Sequence, residues 1–378
     1  MTIEFGLFNS GCVLHQWAEG KPHPEHQRLM EEVALVQAGD RSGFKYTWVT
    51  EHHFLTEYSH LSASEVFLGY LAHATERIHL GSGIFNITPP VNHPARIAER
   101  VAMLDHLSLG RFEFGMGRGS STTEQAGFGI DDPELTREMF DEVVAEFRAM
   151  WRADDYGGHA GSHFTMPPRN VLPKPYTDPH PPMWVAAGSP STFEKAARMG
   201  LGVLCFTLGS VEAIKPLIEI YKTTIQDCEP VGDYVNDNIM VTSQLLCLED
   251  GQRVRDIAPT LAAHYQTSLV FRYLDTFPRP PGVPVWPDLL PERSRGDFEA
   301  AIASGDICYG DPDEVARAVQ KNLDAGVDQL VFGMLSSAMS GEIAIESVET
   351  FGRHIVPQFD KDPVHRTTRQ REAAIAPR

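Results

Sequence analysis

The amino-acid sequence predicts an α/β protein of the (β/α)8 barrel class. Short apolar runs bounded by turn residues alternate with segments of helical period, which is the pattern of repeated strand and helix units. Several of these runs lack strict alternation of polar and apolar residues, as expected for parallel strands buried on both faces. An open doubly wound sheet would carry a G-x-G-x-x-G turn after the first run, but the sequence there is FNSGCVLHQW.

The predicted strands follow one another along most of the chain. Each is a short apolar run that ends in glycine or in polar residues. Eight parallel strands with crossovers between them favour a closed barrel. The eight runs occupy residues 3–9, 46–51, 78–86, 112–117, 183–188, 202–207, 241–248 and 328–335.

Helix signals lie between the strands. Ser62 and Glu65 form a capping-box pattern, which predicts that a helix begins there and extends to about residue 75. Pro94 lies at a first-turn position of the next predicted helix, and Gly110 lies just beyond its end. Residues 311–333 are predicted to form a helix, a glycine-containing turn and the last strand.

A barrel of this class needs about 250 residues, so a chain of 378 residues must carry insertions and a tail. Residues 153–182 and 274–310 are rich in proline and glycine and show no sustained period. They are predicted to be insertions after strand 4 and between strands 7 and 8, either as passive surface loops or as lids over the barrel mouth. Residues 1–360 are predicted to form the barrel domain, and residues 361–378 a frayed or partner-bound tail.

Composition narrows the class of function. The chain has 32 Lys and Arg against 51 Asp and Glu, a net charge of −19, and no basic stripe. Nucleic acids and anionic membranes are therefore not expected as partners. No apolar stretch of about 18 residues occurs and the N-terminus carries an acidic residue, so a cytoplasmic protein is expected. The five cysteines are far apart and are expected to be buried, reduced thiols.

Three ionisable residues, Glu51, His52 and His53, end the second predicted strand. In a barrel of this kind, catalytic residues lie at the carboxyl ends of the strands, so all strand ends meet at one mouth. From their types alone, these residues are metal ligands, acid/base catalysts or buried structural groups. A histidine near neutrality can both accept and donate a proton, which favours His52 as an acid/base group.

An anion site is predicted at the same mouth. In AAGSPSTFEKA a strand leads directly into a helix whose N-cap candidate is Ser189, and Thr192 lies in its first turn. Free backbone N–H groups and the positive end of the helix dipole favour an anion at such a turn. Arg118 lies between glycines in GMGRGSS at the end of strand four, and a guanidinium suits phosphate geometry. A phosphate-bearing cofactor is therefore expected.

These residues carry a resemblance to a known family. TEHHF, GSGIFN, NHPARIAERVAMLDHLSLGRFEFGMGRG and AAGSPST are similar to the corresponding parts of bacterial luciferase-like flavin-dependent monooxygenases, and the resemblance covers most of the chain. It implies a (β/α)8 barrel that binds reduced FMN (FMNH2) supplied by a separate NAD(P)H:flavin reductase. It further implies that O2 reacts at the flavin C4a position, through a (hydro)peroxide, to oxygenate a small organic substrate.

The resemblance also implies roles for individual residues. His52 corresponds to the catalytic histidine beside the flavin ring, and Gly83–Ile84 to a non-prolyl cis peptide. Arg118, Ser189 and Thr192 correspond to phosphate ligands, with Arg137 as a second phosphate arginine. The implied cofactor site comprises Glu51, Gly83, Ile84, Arg118, Arg137, Gly188, Ser189 and Thr192. Within it, Glu51 and the neighbouring His53 are given orienting or packing roles.

Three alternatives remain open on the sequence. The same barrel could use the deazaflavin F420 for hydride transfer. A metal-dependent hydrolase would use Glu51, His52 and His53 as ligands, but strand one ends in FNSG without an H-x-H pair, so no metal is expected. A noncatalytic flavoprotein partner is disfavoured because His52 and the phosphate residues are present.

Substrate and assembly are predicted more coarsely. Leu7, Phe8, Phe54 and Phe85 near the mouth indicate a hydrophobic substrate. The helix predicted at 61–75 has apolar residues on more than one face, although a barrel helix needs only one apolar stripe. This surplus, together with the family's habit of dimerising through such helices, predicts a homodimer.

Overall fold

The computed structural model describes residues 2–207, 209–277 and 279–376. Eight parallel strands form a closed barrel, in which each strand pairs with the next in the ring and β3 pairs with β4 to complete it. The barrel predicted from the sequence is therefore confirmed. The strands are β1 Glu4–Asn9, β2 Tyr46–Val49, β3 His79–Ser82, β4 Phe112–Gly117, β5 Met183–Ala186, β6 Gly202–Cys205, β7 Ile239–Ser243 and β8 Gln329–Phe332.

Two of the predicted strands are divided in the structure. After β3, residues Phe85–Asn86 form a separate short strand that pairs only with β4. After β7, residues Leu245–Cys247 leave the barrel and pair with Cys308–Gly310 in a small parallel sheet. Hydrophobic patterning marked both runs correctly as buried, but it carries no information about which partner a strand will have.

Helices cover the outside of the barrel. One start signal was wrong: α3 begins at Ser64 with Ala63 at the N-cap and no side-chain cap, so Ser62 is not its capping residue. The helices are α1 His15–Ala18, α2 Pro24–Arg41, α3 Ser64–Ala74, α4 Pro94–Leu107, α5 Thr122–Gly127, α6 Leu135–Val144, α7 Glu146–Arg152, α8 Pro190–Arg198, α9 Lys215–Thr224, α10 Gly251–Ile257, α11 Ala263–Tyr273, α12 Arg295–Ser304, α13 Pro312–Asp324, α14 Gly341–His354, α15 Val356–Phe359 and α16 Arg366–Ile375.

The two proline-rich segments differ in structure. Within 153–182, His159–Ala160 and Thr165–Met166 form a small antiparallel hairpin. The segment 274–310 is more regular than the sequence suggested. It contains α12, which has a capping box formed by Ser294 and Asp297, and the strand Cys308–Gly310. Proline content hid this local capping signal.

Two tryptophans fill the inside of the barrel. Trp48 of β2 and Trp184 of β5 pack edge to face, with ring centroids 5.2 Å apart. Glycines on neighbouring strands make room for them. A Cβ at Gly81 would lie 2.2 Å from the Trp48 ring, and one at Gly202 would lie 2.5 Å from the Trp184 ring. The barrel is therefore a packed core below the mouth and not a pore.

The amino-terminal end of the barrel is closed by the C-terminal segment. The prediction of a frayed tail is wrong for residues 366–375, which form α16 against the barrel. The His365 ring stacks on His79 with centroids 3.6 Å apart, and Lys45 Nζ donates to Asp360 Oδ1 at 3.0 Å. These contacts join residues far apart in sequence, so no local pattern could indicate them. The domain boundary at residue 360 stays a prediction.

Glu113 lies fully buried beneath this helix. Its carboxyl group lies 2.8 Å from His79 Nδ1 and accepts hydrogen bonds from Thr367 Oγ1 and Trp184 Nε1. Burial raises the pKa of Glu113 to about 8 and lowers the pKa of His79 to about 3. We therefore treat the two groups as a neutral hydrogen-bonded pair and not as a salt bridge, since desolvation disfavours both charged forms.

Glu113 gives stability a specific pH dependence. Its ordinary pKa of 4.5 rises to about 8 on folding, so the unfolded chain releases the proton first. The stabilisation from this group is complete below pH 4.5 and is lost as the pH rises towards 8. Glu113→Gln mimics the protonated acid and does not titrate. Between pH 5 and 8, the free energy of unfolding of the wild type should therefore fall relative to that of the variant. Urea unfolding across this range measures the difference, and parallel pH profiles would contradict the assignment.

Candidate active site

One cavity of about 510 Å³ opens among the carboxyl ends of the strands. It lies at the mouth of the barrel, where loops that follow several strands converge. Every residue that the sequence assigned to the catalytic and cofactor sites lines this cavity, although their roles stay predictions. These residues are Glu51, His52, Gly83, Ile84, Arg118, Arg137, Gly188, Ser189 and Thr192.

His52 is held by a carboxylate that the sequence did not indicate. Its Nδ1 lies 3.2 Å from Glu124 Oε2, and both side chains are mostly buried. A carboxylate accepts, so Nδ1 carries the proton and Nε2 is left as an acceptor in the neutral ring. Nε2 has no hydrogen-bond partner among the described residues, and His52 lines the cavity. The arrangement presents one basic nitrogen to a ligand.

His53 and Glu51 both line the cavity and contact each other. The His53 backbone N–H donates to Glu124 Oε1 at 2.7 Å, and its ring packs edge to face on Phe128. Glu51 Oε1 accepts from Asn92 Nδ2 at 2.9 Å and lies 3.4 Å from His53 Nε2. These contacts suit the orienting and packing roles expected of both residues.

The floor of the cavity includes the peptide bond between Gly83 and Ile84. This bond is cis, as the resemblance implies. A Cβ at Gly117 of β4 would lie 2.8 Å from the Ile84 side chain, so glycine at this position lets the two strands approach closely. The Ile84 side chain packs against the cluster inside the barrel that includes Leu204 and Met240, and both of these residues line the cavity as well.

Two arginines lie together on one side of the cavity. Arg118 donates from Nη1 to Thr136 Oγ1 at 2.8 Å, and Arg137 pairs with Glu134 at 3.1 Å. Burial, and then the like charge of Arg137, lower the pKa of Arg118. An arginine nevertheless stays charged at neutral pH. A ligand with two negative charges would relieve the repulsion between these guanidinium groups.

The start of α8 adds polar groups to the same side. Ser189 caps the helix in a capping box with Thr192, as the sequence predicted. The backbone N–H groups of Gly188 and Ser189 both donate to Thr192 Oγ1, at 3.2 and 3.0 Å. Lys195, one turn further, also lines the cavity and pairs with Asp141. We call Arg118, Arg137 and Lys195 the cationic side of the cavity.

The opposite wall is apolar. Phe8, Tyr58, Phe206 and Leu274 line it, and we call these four residues the apolar side. Phe8 and Phe206 have ring centroids 6.0 Å apart. Tyr58 and Leu274 belong to one hydrophobic cluster, and Phe206 packs against that cluster. Leu274 follows α11, so the segment between β7 and β8 contributes to the cavity wall.

The four substrate-facing residues suggested by the sequence need correction. Phe8 lines the cavity, but the described lining includes none of the other three. Leu7 and Phe85 are fully buried in the layer between strands and helices, and Phe54 is 60% exposed. Leu7 and Phe8 are adjacent in β1, and successive strand residues point to opposite faces, so only one of them can face inwards.

Sequence reasoning missed Glu124, Lys195 and Tyr58. Glu124 lies in α5, 72 residues from His52, and Tyr58 follows the second strand in a loop. No local pattern signals such contacts, because they depend on how the loops above the barrel fold back. Lys195 lies three residues after Thr192, one helical turn along the predicted α8, and this spacing could have indicated it.

Metal clusters and membrane-spanning helices are both absent from the part of the chain that the structure describes. Within residues 2–207, 209–277 and 279–376, no group of three or more His, Cys, Asp or Glu side chains could hold a metal ion. Among the helices described, none is both long enough and apolar enough to span a lipid bilayer.

Characterised relatives carry monooxygenase names. The chain is 26% identical over 336 residues to the alkanal monooxygenase alpha chain of Photorhabdus luminescens, with 86% of this chain and 90% of the relative covered. It is 29% identical over 244 residues to the oxygenase component of the flavin-dependent trigonelline monooxygenase of Acinetobacter baylyi, with 63% of each chain covered.

Solved structures share the fold. Monooxygenase RslO1 from Streptomyces bottropensis matches with a TM-score of 0.76 and 26% identity, over 94% of this chain and 100% of that one. The oxygenating constituent of 3,6-diketocamphane monooxygenase from Pseudomonas putida, solved with FMN, matches with a TM-score of 0.74 at 16% identity, over 95% and 99%. An F420-dependent secondary alcohol dehydrogenase matches with a TM-score of 0.67 at 17%, over 94% and 98%.

The match to a family model agrees with these likenesses. Residues 4–329 match the model described as luciferase-like monooxygenase, a range that includes strands β1 to β7 and all the residues that line the cavity. The cavity at the strand ends, with its histidine and its cationic side, lies within this range. The chain belongs to the luciferase-like monooxygenase family of flavin-dependent enzymes.

Proposed function

We propose that the protein is the oxygenase of a two-component system that uses FMNH2 and O2 to insert one oxygen atom into a hydrophobic substrate. The observation that carries this proposal is the single cavity that combines a cationic side with the His52–Glu124 pair. A phosphate-bearing cofactor and an acid/base group are both accommodated there. The family match supports a monooxygenase of this type.

The residues present suit FMN. Arg118, Arg137 and Lys195 would neutralise a terminal phosphate, and the hydroxyls of Ser189 and Thr192 would hydrogen-bond to it. Gly83 and Ile84 would lie against the flavin ring, where glycine leaves room for a flat group. When bound in its reduced form, FMN would supply the electrons that activate O2.

His52 would act as the general acid and base in this reaction. His52 lines the cavity and its Nε2 has no partner among the described residues, so this nitrogen could take up a proton and return it later. The Glu124 carboxylate, 3.2 Å from Nδ1, stabilises the ring while it carries the positive charge. Glu124 also fixes the ring orientation through its second contact, to the His53 backbone.

A reductase is proposed as the partner that supplies the cofactor. An oxygenase that takes reduced flavin from solution needs another protein to reduce it with NAD(P)H. A relative at 29% identity is named as the oxygenase component of a flavin-dependent monooxygenase. This name supports a similar division of labour here.

An isotope experiment tests the proposed reaction. The protein is incubated with FMN, NADH, a flavin reductase, ¹⁸O2 and a panel of neutral hydrophobic compounds. One atom of ¹⁸O in a product, dependent on the protein, supports the proposal. NADH and O2 consumed with only hydrogen peroxide formed for every compound in a broad panel would argue against oxygenation of this substrate class.

A homodimer is proposed from an exposed apolar surface. Phe67, Leu68 and Leu71 of α3 are buried against the barrel, so the residues that face outwards from this helix are surplus to the core. The exposed apolar residues on α3, α4 and the following turn are Val66 (70% exposed), Tyr70 (54%), Met103 (49%), Leu107 (56%) and Leu109 (73%). A second copy of the chain would cover these residues.

The oligomeric state can be measured directly. Wild-type protein at micromolar concentration should have about twice the 42.0 kDa mass of the monomer by light scattering. The double variant Val66→Glu, Leu109→Glu should shift to the monomer without loss of secondary structure, because it buries charge in the interface. Val285→Glu, at an exposed apolar residue between α11 and α12, is the matched control. A wild-type mass near that of the monomer would contradict the proposal.

A further inference from the structure

Tyr58 lies on the apolar side of the cavity, next to His52. The two rings pack edge to face with centroids 5.3 Å apart, and Tyr58 also packs on Tyr273 at 6.0 Å. Leu274, in the same hydrophobic cluster, adds a further contact surface. The Tyr58 ring is therefore fixed by its neighbours, and its hydroxyl group has a defined position relative to the histidine.

The hydroxyl of Tyr58 has no hydrogen-bond partner among the described residues. The other hydroxyls near this part of the cavity are occupied: Thr50 bonds to Ser59, Thr242 to Thr207, and Thr276 to Ser120. The Tyr58 oxygen is also not one of the fully buried polar atoms, although the residue is only 7% exposed. What remains of its accessible surface therefore opens to the cavity that it lines.

Tyr58 can act only as a donor or neutral acceptor. Burial, and then the charges of Cys12 and Glu124, raise the pKa of Tyr58 well above its usual range. The group therefore keeps its proton at neutral pH. A purely apolar ligand that filled the cavity would leave this hydroxyl buried without a partner, which is unfavourable, since the hydroxyl would lose access to water and gain nothing in return. A ligand atom that accepts a hydrogen bond would remove this cost.

The charges around Tyr58 limit what that ligand can be. Of the ionisable side chains near it, His52 is paired with Glu124, and Glu51 Oε1 contacts Asn92 and His53. The cations that line the cavity, Arg118, Arg137 and Lys195, lie on the cationic side, where the proposed function places the phosphate. A carboxylate beside Tyr58 would be buried close to the carboxylates of Glu51 and Glu124, which is strongly unfavourable.

We propose that the Tyr58 hydroxyl donates a hydrogen bond to an oxygen atom of the substrate, and that the substrate is an uncharged molecule held beside His52. This inference rests on the proposed function. The substrate class is thus an uncharged, largely apolar compound with a carbonyl or similar acceptor oxygen, and not a carboxylate or a phosphate ester. Phe8, Phe206 and Leu274 enclose its apolar part. Tyr58 acts as a specificity-determining residue, because an analogue without the acceptor leaves its hydroxyl unpaired.

A set of three probes tests this proposal by equilibrium binding. 2-Acetylnaphthalene carries the acceptor, 2-ethylnaphthalene replaces it with a methylene group, and 2-naphthoate replaces it with a charge. Each is titrated by calorimetry into wild type, Tyr58→Phe and Tyr273→Phe, with and without FMN. Tyr273 is the matched control, because it belongs to the same hydrophobic cluster but is not part of the described cavity lining.

The expected result is a preference that depends on one hydroxyl group. Wild type should bind the ketone about three- to tenfold more tightly than the hydrocarbon, the effect of one neutral hydrogen bond. Tyr58→Phe should lose this preference with hydrocarbon affinity unchanged, and Tyr273→Phe should keep it. 2-Naphthoate should bind most weakly to all three proteins.

Several outcomes would overturn the proposal. They are a ketone preference that persists in Tyr58→Phe, a naphthoate that binds as tightly as the ketone, or no binding of either neutral probe to wild type. FMN affinity is measured in the same series. If the wild type does not bind FMN, the proposed function is contradicted. The probe titrations without FMN still decide the role of Tyr58 in that case.

Discussion

Replacing His52 with alanine is expected to lower substrate oxygenation by about two to four orders of magnitude, the usual contribution of one positioned acid/base group. The FMN affinity should change little, because the residues of the cationic side lie after β4, in α6 and in α8, and His52 is not one of them. Reduced flavin should still consume O2, and the oxygen should appear as hydrogen peroxide instead of product. Parallel assays of O2 uptake, peroxide and product measure this change in partition.

Variants of two neighbouring histidines serve as comparisons for His52→Ala. His60 lies on the same loop, outside the described cavity lining, and pairs with Glu25 on the surface. His60→Ala should therefore keep the wild-type ratio of product to peroxide. His53→Ala should act mainly on stability or flavin placement, because its ring packs on Phe128. If His52→Ala turns over with normal product yield, His52 is a structural residue and the acid/base group lies elsewhere.

Replacing Arg118 with alanine is expected to weaken the binding of reduced FMN about ten- to hundredfold. The guanidinium is partly buried, and its desolvation is offset in part by the hydrogen bond to Thr136 and by the charge of Glu134. Loss of one charge-assisted hydrogen bond costs about 1.5–3 kcal/mol, which corresponds to that change in affinity. Anaerobic titration with reduced FMN gives the dissociation constant for both proteins.

Riboflavin provides an internal control for this prediction. It has no phosphate, so it should bind the wild type more weakly than FMN and should be affected little by Arg118→Ala. Arg148→Ala, at an exposed arginine that pairs with Asp233, should leave both affinities unchanged. An equal loss of FMN and riboflavin affinity in Arg118→Ala would show that the residue supports the cavity shape and does not bind phosphate.

Much of the fold followed from local patterns. The strand at 112–117 has the same bounds in the sequence prediction and in the structure, because polar residues flank a short apolar run on both sides. The start of α8 followed from Ser189 and Pro190 for a similar reason, since capping depends on nearby residues. Parallel strands place their carboxyl ends at one mouth, so the residues after several strands could be assigned to one cavity before any contact was known.

The remaining features depend on contacts between distant segments. α16 and its N-cap residue occupy the barrel end through Thr367 and His365, which contact Glu113 and His79 more than 250 residues earlier. Glu124 reaches His52 because α5 folds back over the mouth. Tyr58 is next to that pair for the same reason. Periodicity reports which face of an element is buried, but it does not report which other element covers that face.

The choice of cofactor is the central claim, and one titration tests it most directly. Purified protein is mixed under anaerobic conditions with reduced FMN and, separately, with reduced F420, and bound and free ligand are separated by rapid filtration. The account predicts that reduced FMN is retained at micromolar concentrations, that F420 is retained much more weakly, and that Arg118→Ala reduces FMN retention. Retention of reduced F420 without retention of reduced FMN would contradict the account and would indicate hydride transfer in the same barrel.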